Sequence, residues 1–204
     1  FNTKSSGFIE IEENLNKFEN NFTIETVKEN LEIKKKVISC LNYKENIFSN
    51  TSSLKLSEIG PHVNGFHFMN PISLKFIEIC KNSNFSMDIL EKIISKLTIH
   101  FYKIIEVNDT PGFLINKIIF KDISYFFHLI EKENFSIEDV TMIFKSNIKT
   151  NNPIKLINMI GVDTSLYILE NLKKYDDSFY VPEVLRKAVL NDTLGFKNKK
   201  LFKI

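Results

Sequence analysis

The chain has 204 residues, which is enough for one large domain or two small ones with a sizeable core. Its formal net charge is +2 with Lys and Glu interspersed, which argues against a nucleic-acid-binding protein. No apolar run reaches the roughly 18 to 20 residues of a membrane span. Cys40 and Cys80 form no metal-binding spacing and indicate no disulfide framework. We therefore expect a reducing compartment, either the cytoplasm or, in a eukaryote, the mitochondrion.

Short strand-like runs alternate with helical patterns over the first half of the chain. Apolar or β-branched runs predict strands at residues 7–11, 21–27, 46–49, 63–68, 74–79 and 99–107. Two helices are predicted in this region. One is a polar stretch after residues 7–11, and the other covers residues 29–41. Ser86 is a suitable N-cap, and Ile89, Ile93 and Leu97 then fall on one helix face. This alternation indicates an α/β part.

From Asp109 onward the pattern changes, and every later element is predicted to be a helix. Pro111 can occupy the first turn of a helix, and Ser136 can cap another. The predicted helices cover residues 113–131, a stretch after Ser136, and residues 151–161, 163–173 and 182–190. The expected fold class is therefore α/β followed by all-α, with a first domain at residues 1–108 and a helical domain at residues 109–204.

The spacing of the glycines argues against a phosphate-binding loop within this sequence. A G-x-G-x-x-G turn and a P-loop both need closely spaced glycines, so that backbone N–H groups can approach phosphate. No two of the six glycines are separated by a single residue; they are Gly7, Gly60, Gly65, Gly112, Gly161 and Gly195. Zinc-hydrolase, paired-cysteine and nucleophile-elbow motifs are also absent, so we predict no metal site.

His67 is the most informative histidine in the sequence. It lies in an apolar strand that is followed by Asn70 and Pro71, where the chain is expected to change course. A carboxylate near such a histidine would orient the ring and stabilise the imidazolium, and Glu78 lies in the next predicted strand. On spacing alone, a satisfied core histidine and a solvated glutamate explain the pattern more simply than a proton-transfer pair.

Two further polar positions admit both a functional and a structural interpretation. The hydroxyls of Thr51–Ser53 follow a short predicted strand, where they could bind a ligand, although local chemistry favours capping of the next helix. Asn116 lies near the start of a predicted helix, and its amide either points into a cleft or is solvated. We interpret His62, His100 and His128 as structural.

An ordered set of motifs resembles the L-3-hydroxyacyl-CoA dehydrogenase family, which includes the 3-hydroxybutyryl-CoA dehydrogenases. The motifs are Asn50–Leu54, His67–Pro71, Glu78 and Asp109–Asn116. Gly161–Asp163 and Leu194–Lys197 extend the likeness, which runs from about Phe8 to Ile204. The ordered set is more specific than any of its motifs taken alone.

The resemblance implies a fold, a reaction and a partner. The first domain would be the C-terminal part of a Rossmann-like NAD-binding domain, and the helical domain would form a homodimer. The substrate would be an acyl-CoA. Its 3-hydroxyl would be oxidised with NAD as cofactor, or the reverse reduction would occur, as in the β-oxidation of fatty acids.

The resemblance also implies a role for eight individual residues. His67 matches the family's catalytic base, and Glu78 matches the carboxylate that pairs with it. Ser52 and Asn116 match groups that contact the substrate near the reacting carbon. Contacts with the cofactor are implied for Glu29, Lys34, Ser52, Asn70 and Lys197.

The sequence departs from the family pattern in the part that binds the cofactor phosphates. The glycine-rich strand–turn–helix unit and the segment that contacts CoA would lie upstream of Phe1. The interval from His67 to Glu78 is one residue shorter than usual.

Two functional alternatives follow from these departures. The chain is either a dehydrogenase whose missing part comes from an upstream segment or another polypeptide, or a truncated, non-catalytic relative that acts as a dimerisation or interaction module.

Overall fold

The computed structural model describes residues 22–69, 75–82, 85–146 and 152–204. The strand predicted at residues 7–11 and the polar helix predicted after it lie outside these ranges. Within them, strands and helices alternate first and helices alone follow. This order confirms the predicted fold class.

The described part of the chain contains one five-stranded sheet, whose strands lie side by side in sequence order. The strands are β1 (Thr23–Glu25), β2 (Ile47–Ser49), β3 (Val63–Phe68), β4 (Phe76–Cys80) and β5 (Lys103–Glu106). The first three are parallel, β4 runs antiparallel to β3, and β5 runs parallel to β4. The carboxyl ends of β1, β2 and β3 therefore meet at one edge, where open α/β sheets bind ligands.

Helices cover both faces of this sheet. They are α1 (Leu31–Ser39), α2 (Leu56–Ile59) and α3 (Met87–Ile99). Because successive side chains on a strand point to opposite faces, β2 contributes to two apolar clusters. Ile47 joins the cluster that contains Ile38 of α1, and Phe48 joins the cluster that contains Leu90 of α3.

The later helices enclose a separate core that is rich in phenylalanine. They are α4 (Ile115–Glu131), α5 (Ile137–Lys145), α6 (Pro153–Ile160), α7 (Val162–Tyr175) and α8 (Glu183–Leu190). On α4, Phe120, Ile123 and Phe127 follow helical spacing and are fully buried against Leu169 and Leu185. Among the described helices, none combines the length and apolar character needed to cross a membrane.

Both helix caps predicted from the sequence are confirmed. Ser86 Oγ accepts a hydrogen bond from Ile89 N, and Ser136 Oγ accepts one from Asp139 N at 3.0 Å. Helix α2 was not predicted, because a helix of four residues is too short to show an apolar period.

The strand predicted at residues 99–107 is wrong in its first part. Helix α3 continues to Ile99, and Phe101 then adopts a left-handed conformation with φ 65°. Such a residue just after a helix ends it and redirects the chain. The strand β5 therefore begins only at Lys103.

Two side chains join α2 to the helical part of the chain. Leu56 N and Ser57 N donate hydrogen bonds to the carboxylate of Asp109 at 2.7 and 3.0 Å, which satisfies N–H groups that a helix start leaves open. Tyr175 on α7 donates a hydrogen bond to Glu58 on α2. Burial, together with this bond, raises the pKa of Tyr175 to about 12, so the hydroxyl keeps its proton at neutral pH.

We expect Asp109→Ala to lower the free energy of unfolding by about 1 kcal/mol, because it removes the acceptor for two N–H groups at the start of α2. Urea denaturation would measure the change. Asp177→Ala is the control, since this exposed carboxylate lies 4.0 Å from Lys173 and should contribute little. Equal stability of the two variants would contradict the capping role of Asp109.

Candidate active site

His67 and Glu78 form a buried pair near the carboxyl end of β3. The antiparallel register of β3 and β4 places the two residues opposite each other, and His67 Nδ1 lies 2.8 Å from Glu78 Oε2. Their relative exposures are 3% and 0%. The solvated glutamate expected from spacing alone is therefore wrong, because strand pairing places Glu78 inside the protein.

Glu78 also holds the beginning of α4. Its Oε1 atom accepts hydrogen bonds from Leu114 N and Ile115 N, each at 2.8 Å. Gly112 allows the turn before these residues, because its φ is +74° and a Cβ atom there would lie 2.7 Å from Leu172 Cδ2. One carboxylate therefore fixes both the imidazole ring and the start of a helix.

The surroundings of Glu78 determine which ring nitrogen of His67 carries the proton. Two backbone N–H groups already donate to Oε1, and a carboxylate accepts hydrogen bonds at both of its oxygens. In a neutral His67 ring, Nδ1 is therefore the donor, and Nε2 keeps a lone pair that can take up a proton. This is the arrangement of a general base with an orienting carboxylate.

A cleft of about 340 Å³ adjoins His67 between the sheet and the helical part. Polar side chains line one wall: Asn50, Ser52, His67 and Asn116. The remaining lining is Phe68, Met69, Phe120, Ile160, Thr164 and Ile168. Half of the ten lining residues are polar, and polar groups that converge beside apolar side chains are typical of a small-molecule site; this volume lies at the lower end of the usual range.

Glu29 shapes the loop that carries Ser52. Its Oε1 atom accepts hydrogen bonds from Ser52 N and Ser53 N at 2.9 and 2.8 Å, and from Thr51 Oγ1 and Ser53 Oγ at 2.7 and 3.0 Å. The capping role that we expected for these hydroxyls is wrong, because Asp109 supplies the N-terminal partners of α2. The hydroxyls instead fix the loop.

Asn116 completes the polar wall of the cleft. It lies in the first turn of α4 and is 5% exposed, so the solvated alternative is excluded. Its Nδ2 atom donates a hydrogen bond to the backbone carbonyl of Ser52 at 2.7 Å. The fold therefore brings together Ser52, His67, Glu78 and Asn116, which are widely separated in the sequence.

Lys34 lies in a buried ion pair at the carboxyl end of β1. Its Nζ atom donates to both carboxylate oxygens of Glu25, at 2.9 and 3.1 Å, and lies 3.5 Å from Glu29 Oε2. Ser49 Oγ donates to Glu25 Oε2 at 2.6 Å. Glu25 was not predicted as a site residue, although an acidic residue within a predicted strand was a signal that could have identified it.

Lys197 contacts a residue that lines the cleft. Its Nζ atom donates to Asp163 Oδ1 at 2.8 Å and to Thr164 Oγ1 at 2.5 Å, and Thr164 lines the cleft. Asn70 lies outside the described residues. The assignment of Glu29, Lys34, Ser52, Asn70 and Lys197 to cofactor contacts stays a prediction.

Cys80 follows Glu78 by two residues on β4 but does not fit the role of a nucleophile. Burial raises the pKa of its thiol to about 12, and the charges of Asp109 and Glu106 add to this effect. The thiolate is the reactive form of cysteine, so this thiol is inert at neutral pH. The chemistry of the site therefore rests on the imidazole of His67.

Two family models together match almost the whole chain. Residues 3–110 match the 3-hydroxyacyl-CoA dehydrogenase NAD-binding domain. Residues 112–203 match the 3-hydroxyacyl-CoA dehydrogenase C-terminal domain.

Curated relatives show the same similarity at modest identity. The chain is 26% identical over 194 residues to the mitochondrial hydroxyacyl-coenzyme A dehydrogenase of Sus scrofa, and 30% identical over 193 residues to a probable 3-hydroxybutyryl-CoA dehydrogenase of Bacillus subtilis. Each match covers 88% of this chain, but 62% of the first relative and 67% of the second. The chain therefore spans about two thirds of the length of these relatives.

Solved structures share the fold. Mycobacterium tuberculosis FadB2 superposes with a TM-score of 0.72 at 19% identity, and the match covers 89% of this chain and 70% of that protein. The (S)-3-hydroxybutyryl-CoA dehydrogenase PaaH1 of Ralstonia eutropha superposes with a TM-score of 0.69 at 24% identity, with the same coverage.

We expect Glu78→Gln to move the proton of the neutral His67 ring from Nδ1 to Nε2. The glutamine oxygen can still accept from Leu114 N and Ile115 N, which leaves its NH₂ group as a donor towards Nδ1. Ring ¹⁵N chemical shifts would identify the tautomer, with His62 as an internal control. A ring that kept its proton on Nδ1 would contradict the proposed orientation of this pair.

We expect Lys34→Met to lower the free energy of unfolding by about 3–5 kcal/mol, because it leaves the buried carboxylate of Glu25 unpaired. Lys35→Met is the matched control, since Lys35 is exposed and lies 3.6 Å from Glu32. Denaturant unfolding would compare the variants. A loss as small as that of the control would show that Lys34 is not structural.

Proposed function

Because the chain belongs to the 3-hydroxyacyl-CoA dehydrogenase family, we propose that it carries the catalytic core of an NAD-dependent 3-hydroxyacyl-CoA dehydrogenase. It would oxidise the 3-hydroxyl of an acyl-CoA or catalyse the reverse reduction. The observation that carries this proposal is the buried His67–Glu78 pair beside a cleft that Ser52 and Asn116 also line. An α/β sheet can form without any of these four residues, so their meeting at one cleft supports a functional role.

His67 is proposed as the proton-transfer residue. Its Nε2 lone pair accepts the proton of the 3-hydroxyl during oxidation and returns a proton to the oxygen during reduction. Glu78 holds Nδ1 at 2.8 Å and stabilises the imidazolium that forms. A positioned base of this kind accelerates a reaction by about 10² to 10⁴.

Ser52 and Asn116 are proposed as substrate contacts, because both line the cleft beside His67. The hydrogen bond from Asn116 Nδ2 to Ser52 O sets their relative positions. The 3-oxygen of the substrate would lie among these side chains, within reach of His67 Nε2. The apolar wall that includes Phe120 and Ile168 would accommodate the acyl group and exclude water from it.

The described residues fit one end of the NAD molecule, the nicotinamide. The cleft lies at the carboxyl end of the parallel strands, where dinucleotides bind, and NAD supplies the hydride chemistry when it is bound. Ser52 and Lys197 are proposed to contact it, and Asn70 is proposed as a further contact. Glu29 and Lys34 would act indirectly, because their polar atoms already bind protein groups. Glu29 would hold the loop that carries Ser52, and Lys34 would pair with Glu25 at the edge of the sheet.

No G-x-G-x-x-G turn occurs in the 204 residues, so we propose that the cofactor phosphates are bound by sequence outside this chain. The source would be an upstream segment or another polypeptide. We propose a reducing compartment, the cytoplasm or, in a eukaryote, the mitochondrion, because two cysteines in 204 residues indicate no disulfide framework.

We further propose that residues 1–108 and 109–204 are separate domains and that the helical one pairs with a second copy of the chain. Ile118 on α4 and Met142 and Ile143 on α5 expose more than half of their surface. If these side chains form one contiguous apolar patch, they would suit a subunit interface. Such a patch would support the expectation of a homodimer.

We expect His67→Ala to lower the rate of NADH oxidation with acetoacetyl-CoA by about 10² to 10⁴, because the proton donor is lost. Absorbance would follow the reaction, and His62→Ala is the control, since His62 is exposed and does not line the cleft. Background rates for all three proteins would contradict catalysis by this chain alone. Calorimetry with NAD would show separately whether it binds cofactor; we expect weak binding or none.

A further inference from the structure

Asn171 connects the helical part to the loop that carries Ser52. It lies on α7 and is 3% exposed. Its Nδ2 atom donates a hydrogen bond to Ser53 Oγ at 3.1 Å across 118 positions of the sequence. Its Oδ1 atom accepts one from Lys174 Nζ at 2.9 Å, which orients the amide so that its NH₂ group faces the loop.

Ser53 Oγ is a suitable acceptor for this hydrogen bond. Its hydroxyl donates to Glu29 Oε1 at 3.0 Å and so presents a lone pair to the amide of Asn171. Its backbone N–H also donates to Glu29 at 2.8 Å, and its side chain is fully buried. The loop is therefore clamped between Glu29 on the sheet side and Asn171 on the helical side.

A second asparagine holds the neighbouring residue from another helix. Asn116 on α4 donates to Ser52 O at 2.7 Å, while Asn171 on α7 reaches Ser53. Breaking either contact leaves a buried polar group without its partner, which costs more than the bond itself contributes. The hydrogen bonds to Ser52 O and Ser53 Oγ therefore restrict the position of Ser52 in the cleft.

We propose that Asn171 is a positioning residue, which fixes Ser53 and through it the cleft-lining side chain of Ser52. The inference rests on the proposed function, because Ser52 matters for catalysis only if it contacts the reacting groups. Displacement of such a contact by about 1 Å can cost roughly 10²-fold in rate. Asn171 itself does not line the cleft, so it acts only through the loop.

The main test compares Asn171→Ala and Asn171→Asp with the wild-type chain. The aspartate keeps the side-chain shape and the bond from Lys174 but removes the donor to Ser53 Oγ, so it guards against a general packing defect. We expect both variants to lower kcat with acetoacetyl-CoA by about tenfold, the effect of roughly one hydrogen bond. Unchanged kcat in both would overturn the proposal.

Two controls separate positioning from stability. Ser124→Ala removes another buried hydrogen bond, from Tyr180 N to Ser124 Oγ at 2.6 Å, and should lower stability without lowering kcat. Ser53→Ala combined with Asn171→Ala should be no slower than Ser53→Ala alone, because Asn171 acts through that hydroxyl. Additive losses would show that Asn171 acts by another route.

Hydrogen exchange provides a test that does not depend on activity. Ser52 N and Ser53 N both donate to Glu29, so we expect slow exchange in the wild-type chain and about tenfold faster exchange in Asn171→Asp. Ser124→Ala should leave these two amides unchanged. Absence of activity in a wild-type protein to which the phosphate-binding part has been supplied would contradict the proposed function, whereas unaltered exchange in Asn171→Asp would contradict the positioning role.

Discussion

The buried carboxylate of Glu78 is the constraint on which the rest of the site depends. A charge with no exposure to water is tolerable only if donors surround it, and three groups do so: His67 Nδ1, Leu114 N and Ile115 N. Two of these donors belong to the start of α4, so the helical part must dock against the sheet before the carboxylate is satisfied. Docking of the two parts and orientation of the imidazole therefore depend on the same carboxylate.

Other carboxylates also accept hydrogen bonds from several elements and so hold these elements together. Glu29 gathers two backbone N–H groups and two hydroxyls of the loop that carries Ser52. Asp109 caps a helix that lies 52 to 53 positions earlier in the chain, and Glu25 anchors Lys34 beneath the sheet edge. In each case an acidic side chain draws together groups from different elements. Hydrogen bonds to acidic side chains therefore fix several loops and helix starts around the cleft.

The sequence was sufficient to predict those features that depend on local chemistry. The strand Val63–Phe68 and the caps Ser86 and Ser136 follow from patterns of a few residues. The burial of Glu78 could not be predicted from spacing, because it depends on which strand lies next to β3 and in which direction. Asn171 gave no signal, since its partner is 118 positions away.

The cross-strand register of His67 and Glu78 has a consequence for how this site tolerates insertions and deletions. The two residues face each other because β3 and β4 are aligned, and not because a fixed number of residues separates them. The interval here is one residue shorter than the family pattern, yet the 2.8 Å contact is retained. The contact is therefore set by the register and not by the length of chain between the strands, whereas a slip of one residue within either strand would turn Glu78 to the opposite face of the sheet.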